Sequence, residues 1–400
     1  MIGASDYPFV IAGSGFFGAV MAERITTVLD QPVLVLERRS HFGGNSYSER
    51  DGQTGIEYHR YGSHLFHTSS EDVWSWINRF TKFNNYRHRV LTRHRDRMFT
   101  MPINLMTLNS FFGIDLKPGD AAAFIAAQAA AEQNAVPANF EEKAISLIGR
   151  PLYEAFIRGY TAKQWETDPK LLPAEVISRL PVRFNYNDFY FNDIYEGLPL
   201  DGYAAIFERI FADPRIEVVC DCDFFDVKPQ IRPDAVVIYT GAIDRYFDYC
   251  FGPLGWRTLD FEIERPEVDD YQGTAVVNYP DQEVPFTRIH EFKHLHPERR
   301  YGAGQTLIMR EFSRFARQED EPYYPINTPQ DKDTYDRYAA RGAQEEGVIF
   351  GGRLGTYRYL DMHQAIGAAL RAFEREVMPA FAQRSGGQVA ARKPGADVMA

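Results

Sequence analysis

Phe9-Val10-Ile11-Ala12-Gly13-Ser14-Gly15-Phe16-Phe17-Gly18 is the stretch that decides the fold. A run of four apolar residues meets a glycine turn. Phe17, Met21, Ile25 and Leu29 then recur at the spacing of one helix face. A second apolar run, Val33-Leu34-Val35-Leu36, ends on Glu37. Strand, glycine turn, helix, strand and acid follow one another as in a βαβ unit that holds a dinucleotide. Gly13 permits the tight turn, Gly15 lets the backbone approach a pyrophosphate, and Gly18 lets helix and strand pack closely. The helix N-terminus faces phosphate charge, and Glu37 is placed to accept from ribose hydroxyls. A glycine turn with no nucleotide is the plainer alternative, and the flanking strands and the acid argue against it.

Beyond Glu37 the chain continues Arg38-Arg39-Ser40-His41-Phe42-Gly43-Gly44-Asn45. A glycine pair just past the ribose-binding acid lets a second loop come close to the cofactor. This resembles the extended fingerprint of the glutathione-reductase-type FAD proteins and favours FAD over NAD. His41 stands where those proteins usually carry Arg.

The 400 residues give room for two or three structural units, and 44% hydrophobic with 25% charged residues reads as globular. A net charge of −11 argues against nucleic acid as a partner, so an anionic ligand needs local arginines. Three cysteines, Cys220, Cys222 and Cys250, without a C-x-x-C pair suit a reducing compartment and predict a cytoplasmic protein. Cys220 and Cys222 are expected on one face of a strand. No basic region precedes the first apolar run, so no signal peptide is predicted. No apolar stretch reaches the roughly 18 residues that a membrane helix needs, so no membrane insertion is expected.

Next comes Tyr61-Gly62-Ser63-His64-Leu65-Phe66-His67-Thr68, whose small residues and two histidines suit a backbone lying against a flat ligand. Ser70 reads as a helix cap, with Val73, Trp76, Ile77 and Phe80 on the buried face. The spacings of His59, His64 and His67, and of His290, His294 and His296, do not form a metal-ligand pattern, so no metal is expected. From about residue 70 to 159 the pattern reads as mainly helical. Phe156, Tyr160 and Trp165 suit stacking on a planar base, with Thr161 and Gln164 as polar contacts; plain helix packing is the alternative. Residues 171 to 182 read as a loop, either a lid carrying Arg179 to a phosphate or an ordinary connection. Strand-like pattern begins at Phe184. A helix from Gly202 to Phe211 and the runs Ile216–Val219 and Ala235–Gly241 read as a return to the nucleotide sheet, with Thr240 and Gly241 at a strand end beside the cofactor. Residues 256 to 326 resemble an antiparallel sheet. Asp361 is a plausible cap for a helix whose stripe is Met362, Ile366, Leu370 and Phe373, and whose N-terminus suits the pyrimidine edge of a flavin.

These motifs together resemble the bacterial UDP-galactopyranose mutases. The resemblance runs from Phe9 to about Leu370. Gly159-Tyr160-Thr161-Ala162-Lys163-Gln164-Trp165, Glu321-Pro322-Tyr323-Tyr324-Pro325 and Gly351-Gly352-Arg353-Leu354 carry it most specifically. Ser63 departs from the family, which often has Pro or Ala there. The resemblance implies an α/β fold: a glutathione-reductase-type, Rossmann-like FAD domain with an inserted helical domain and an antiparallel sheet domain. The expected boundaries are 1–78, 199–252 and 341–385 for FAD and 79–183 for the helices, with the lid at 171–182. Residues 184–198 and 253–340 are expected in the sheet, and 386–400 as a loose tail.

The resemblance also implies interconversion of UDP-galactopyranose and UDP-galactofuranose with no net redox change. Reduced FAD is the nucleophile, through N5, at the anomeric carbon. In that family Phe156, Ile157, Tyr160, Thr161 and Trp165 resemble the uridine site, and Asn278 a ribose contact. Arg179 and Arg288 resemble the two diphosphate arginines, and Tyr190, Tyr324 and Tyr359 their hydroxyl partners. His64, Arg353 and Asp361 resemble residues at the flavin and sugar, and Glu311 an active-site carboxylate. Gly13, Gly15, Phe17, Gly18, Glu37, Arg38, Gly44, Asn45, Gly62, Ser63, His64, Thr240, Gly241, Arg353 and Met362 are the cofactor-binding set. A cytoplasmic homodimer is implied. A flavin amine oxidase or desaturase is one rival. A flavin-free binding protein of the Rab GDP-dissociation-inhibitor type is the other.

Overall fold

Five parallel strands stand in the order Val348–Phe350, Val236–Tyr239, Phe9–Ala12, Val33–Leu36 and Ile216–Val219. Every residue of the three central strands is buried, which is why their sequences are unbroken apolar runs and do not alternate. The computed structural model describes residues 3–130, 136–177 and 181–384. The helix Phe16–Leu29 buries Phe17, Met21, Ile25 and Leu29 as its spacing predicts, and stops at Asp30 in the left-handed region, φ 55°. It shares a core with Ile366 and Phe373 of the C-terminal helical stripe.

The second sheet has seven strands, in the order Tyr324–Pro325, Trp256–Glu264, Ile308–Phe315, Arg288–Glu291, Val276–Asn278, Val90–His94 and Arg97–Met101. All its pairings are antiparallel except that of Val276–Asn278 with Val90–His94. Two of these strands fall inside the segment expected to be helical. The helical expectation therefore fails between Val90 and Met101, where burial alternates on Val90, Leu91 and Thr92. Arginines and histidines dilute the apolar signal there, so the period of two is visible only once the strand has a partner.

Residues 184 to 198, expected to be strand-like, contribute one short strand, Tyr195–Gly197, paired with Phe66–Thr68. The helix Pro329–Gly342, expected with the sheet unit, sends Tyr338 into the core under Val237 and Tyr239 of the nucleotide sheet. Cys220 and Cys222 sit in a bend just past the strand Ile216–Val219, because the chain turns at Asp221, φ 53°.

A third core belongs to the helices Leu105–Phe112, Pro118–Ala130 and Phe140–Ile148. The next helix runs from Arg150 to Trp165 through a wide π turn at Tyr153–Ile157. No helix among the described residues is long and apolar enough to cross a membrane.

Candidate active site

A cavity of about 810 Å³ opens at the carboxyl end of the nucleotide sheet. Gly13, Gly15, Phe17, Gly18, Glu37, Arg38, Gly44, Asn45, Thr240, Gly241, Arg353 and Met362 line it, together with His64. Gly13 has φ +103°, and a Cβ there would lie 2.1 Å from Thr240 Oγ1. That hydroxyl donates to Ala12 O at 2.6 Å, tying the two strand ends together. A Cβ on Gly18 would lie 2.0 Å from Gly13 O, so only glycine lets the helix start this close to the turn. A Cβ on Gly44 would lie 3.2 Å from Gly15 Cα, so the two glycine loops face each other across a bare backbone cradle.

Ser14, one of the residues between the glycines, was not singled out from sequence. Its N–H (3.0 Å) and hydroxyl (2.6 Å) both donate to Glu37 Oε2, and its oxygens accept from Gly43 N. One side chain thus orients the acid and the second loop. Arg39 is a second unanticipated member. It stacks on Tyr61 at 4.2 Å, donates to Asn45 Oδ1 at 2.8 Å and pairs with Glu321 at 3.0 Å. Its Nη1 is buried without a protein partner, a donor open to a ligand. Cradle, volume and open donor fit a dinucleotide cofactor.

His64, Arg353 and Met362 also line a second cavity of about 990 Å³, so the two clefts meet at these side chains. Tyr160, Trp165, Tyr190, Asn278, Arg288, Glu311, Tyr324, Tyr359 and Asp361 line the second cavity. Gly62 and Ser63, expected on the cofactor, line this cavity and not the first. Arg179 lies outside the described residues. Phe156, Ile157 and Thr161 do not line the cavity. Phe156 packs in the helical core against Phe99 at 5.1 Å and Phe111 at 5.3 Å. The reason is the π turn: its extra residue breaks the i, i+4 phase that would have put Phe156 on the face of Tyr160.

Lys163, quoted from sequence only as part of a motif, has a structural task. Its ammonium lies within hydrogen-bonding distance of the carbonyls of Tyr279, Asp281 (2.9 Å), Val284 (2.9 Å) and Phe286 (3.0 Å). It pins the helix to the hairpin that carries Asn278 and Arg288.

Arg288 Nε lies 3.1 Å from Glu311 Oε1, close enough for an ion pair but off the line of a hydrogen bond. Its Nη2 donates to the Tyr160 hydroxyl. Burial alone would raise the Glu311 carboxyl, but Arg288, His290 and the Thr287 hydroxyl together hold it down at about 2. Glu311 is therefore an anion at neutral pH. Burial raises the phenols of Tyr160, Tyr324 and Tyr359, so all three remain O–H donors. Burial holds His64 down at about 4, against the help of the Gly62 carbonyl, which sits 2.7 Å from Nδ1. A neutral imidazole thus stands where the clefts meet. Arg353 donates to Tyr323 O (3.1 Å) and Leu360 O (2.6 Å), with the Tyr359 ring 4.9 Å away. The clamp is planar and built from two distant loops.

Among the described residues, His67, Asp361 and His363 form one group of potential metal ligands, and Asp270, Glu291 and His294 another. His67 turns away from His59 and His64 to Asp193, with Nδ1 2.6 Å from Oδ2.

A model of the UDP-galactopyranose mutase family matches residues 155–359, and one of NAD(P)-binding Rossmann-like domains matches 11–80. A probable UDP-galactopyranose mutase of Klebsiella pneumoniae is 40% identical over 93% of this chain and 97% of its own. A dTDP-fucopyranose mutase of Escherichia coli is 39% identical over 90% of this chain and 96% of its own. A crystal structure of a reduced UDP-galactopyranose mutase superposes with a TM-score of 0.69, at 17% identity, over 95% of this chain and 98% of its own, a likeness of fold. With its glycine cradle, its second cavity and these relatives, the chain belongs to the UDP-galactopyranose mutase family.

Proposed function

We propose that this isomerase interconverts UDP-galactopyranose and UDP-galactofuranose, with FAD bound in the first cleft, as a cytoplasmic homodimer. One observation carries the reading: an arginine- and tyrosine-lined cavity meets a dinucleotide cradle at His64, Arg353 and Met362. Gly15 and Gly44 would let bare backbone approach the cofactor's pyrophosphate, Gly13 making the turn and Gly18 the close helix packing, and Glu37 would take its ribose. Reduced FAD bound there would supply the nucleophilic chemistry that the exchange at the anomeric carbon needs.

This chain's own residues do the rest. Arg288 holds the diphosphate as negative charge develops on it, and Arg179 supplies the second positive charge. Tyr160, Tyr190, Tyr324 and Tyr359 offer hydroxyl donors to the same oxygens. Trp165 is the base-stacking platform, and Asn278 takes the ribose. Neutral His64 keeps a second positive charge away from the reacting centre. Arg353 holds the loops around Tyr323 and Leu360, which close the ring end of the cofactor cleft against water.

The test is anaerobic turnover of UDP-galactofuranose by the flavin-loaded protein, with and without dithionite, run beside dTDP-fucofuranose. Product from the UDP-sugar only after reduction is expected. Product from the dTDP-sugar alone overturns the assigned substrate. Equal product without reduction overturns the role of reduced FAD.

A further inference from the structure

Ser63 and His290 lie 227 positions apart, yet Ser63 Oγ is 2.6 Å from His290 Nδ1. His290 is 1% exposed, and its other nitrogen, Nε2, is 3.2 Å from Glu311 Oε2. Glu311 Oε1 faces Arg288 and accepts from the Thr287 hydroxyl at 3.2 Å. The hydrogens along this line can be assigned. Glu311 is an anion and only accepts, so the proton on His290 sits at Nε2. Nδ1 of the neutral ring is then an acceptor, and the Ser63 hydroxyl donates to it. A buried ring cannot satisfy both nitrogens with any other tautomer here. Ser63 therefore fixes the tautomer of His290, His290 fixes the rotation of the Glu311 carboxylate, and Glu311 fixes the guanidinium of Arg288.

We propose that Ser63 and His290 are positioning residues for the diphosphate, acting through Glu311 to aim Arg288 into the second cavity. The inference rests on the reading that Arg288 takes the diphosphate. The Ser63 side chain spends its hydrogen on His290, although Ser63 lines the cavity. A direct contact with the ligand is therefore the alternative to be separated.

The experiment titrates the FAD-loaded enzyme with UDP by calorimetry, for Ser63→Ala, Ser63→Thr, His290→Phe, the double variant Ser63→Ala/His290→Phe, and Arg288→Ala. His290→Phe keeps the ring volume and removes both nitrogens. Loss of one buried hydrogen bond predicts that Ser63→Ala binds UDP about fivefold more weakly and unfolds at a somewhat lower temperature, with both restored in Ser63→Thr, which keeps the hydroxyl. In the His290→Phe background, Ser63→Ala has no further effect. A direct contact with UDP predicts instead the same fivefold loss in both backgrounds, which overturns the relay. Wild-type affinity in Ser63→Ala also overturns it. Wild-type affinity in Arg288→Ala overturns the reading of Arg288 itself, and so is distinguishable from failure of the relay alone.

Discussion

Gly159 has no side chain because the carbonyl oxygen of Pro280 occupies the place: a Cβ there would lie 2.1 Å from it. One turn along the same helix, Lys163 reaches into the carbonyls of the same hairpin. Glycine permits the approach and lysine secures it. Gly159→Ala forces the hairpin away, at a cost of about 1–3 kcal/mol. Lys163→Met leaves buried carbonyls without a donor, at a similar cost of about 1–3 kcal/mol. Both variants are expected to keep bound flavin, unfold at a lower temperature and bind UDP more weakly. Thermal unfolding and UDP titration check this, and unchanged UDP affinity would remove the hairpin from the substrate site.

Arg288→Ala leaves Glu311 and Tyr160 without their cationic partner. Turnover is expected to fall by at least about 100-fold, the scale for losing a preorganised charge at a departing group. Flavin content stays at the wild-type level, since Arg288 does not line the cofactor cleft. Arg179→Ala has the same expected outcome. Steady-state kinetics with a flavin absorbance ratio decides the matter, and flavin loss in either variant would refute the assignment.

The glycine cradle gives the reverse pattern. Gly13→Ala drives a methyl group into Thr240 Oγ1 at a φ of +103° that alanine avoids. The expected product is a folded but colourless protein, because the turn opens where the pyrophosphate would sit. Retention of a full flavin spectrum would sink the cradle's role.

Stability is expected to fall as the pH drops, with a sign set by burial. His64 is held at about 4 against an ordinary 6.5, so the unfolded chain takes up the proton first. Its contribution is present above pH 6.5 and drains away toward pH 4, on the order of 3 kcal/mol. His59, His88 and His290, all lowered by burial, act with the same sign. Glu311 continues the loss below 4.5, as pH falls toward its value of about 2. Chemical denaturation at a series of pH values, with His64→Gln alongside, is the measurement. The variant is expected to flatten the upper part of the slope.

The glycine cradle of the first cleft was legible because its rules are local. Gly13, Gly15 and Gly18 are spaced by the turn they make, and Phe17, Met21 and Ile25 by the helix they bury. The second cavity was half legible. Tyr160, Trp165, Arg288 and Tyr324 line it, while Phe156, expected beside them, packs in the helical core next to the π turn. Val90–His94 was missed as a strand because its alternation is diluted by Arg93 and His94, although its hairpin partner Arg97–Met101 follows directly. Ser14, Arg39 and His290 gave no signal, since each is an ordinary residue until a distant acceptor meets it.

Residue type and spacing alone pointed to the βαβ nucleotide unit and the family, and named many residues that line the two clefts. Short-range geometry writes these directly into residue type and spacing. Which side chains share a cavity, and which distant groups pair, follows from the packing. Ser63 finds His290 across 227 positions, and Arg288 finds Tyr160 across 128. Such pairs are fixed by how two sheets and a helical unit pack, and packing sums many weak contacts that no local spacing records.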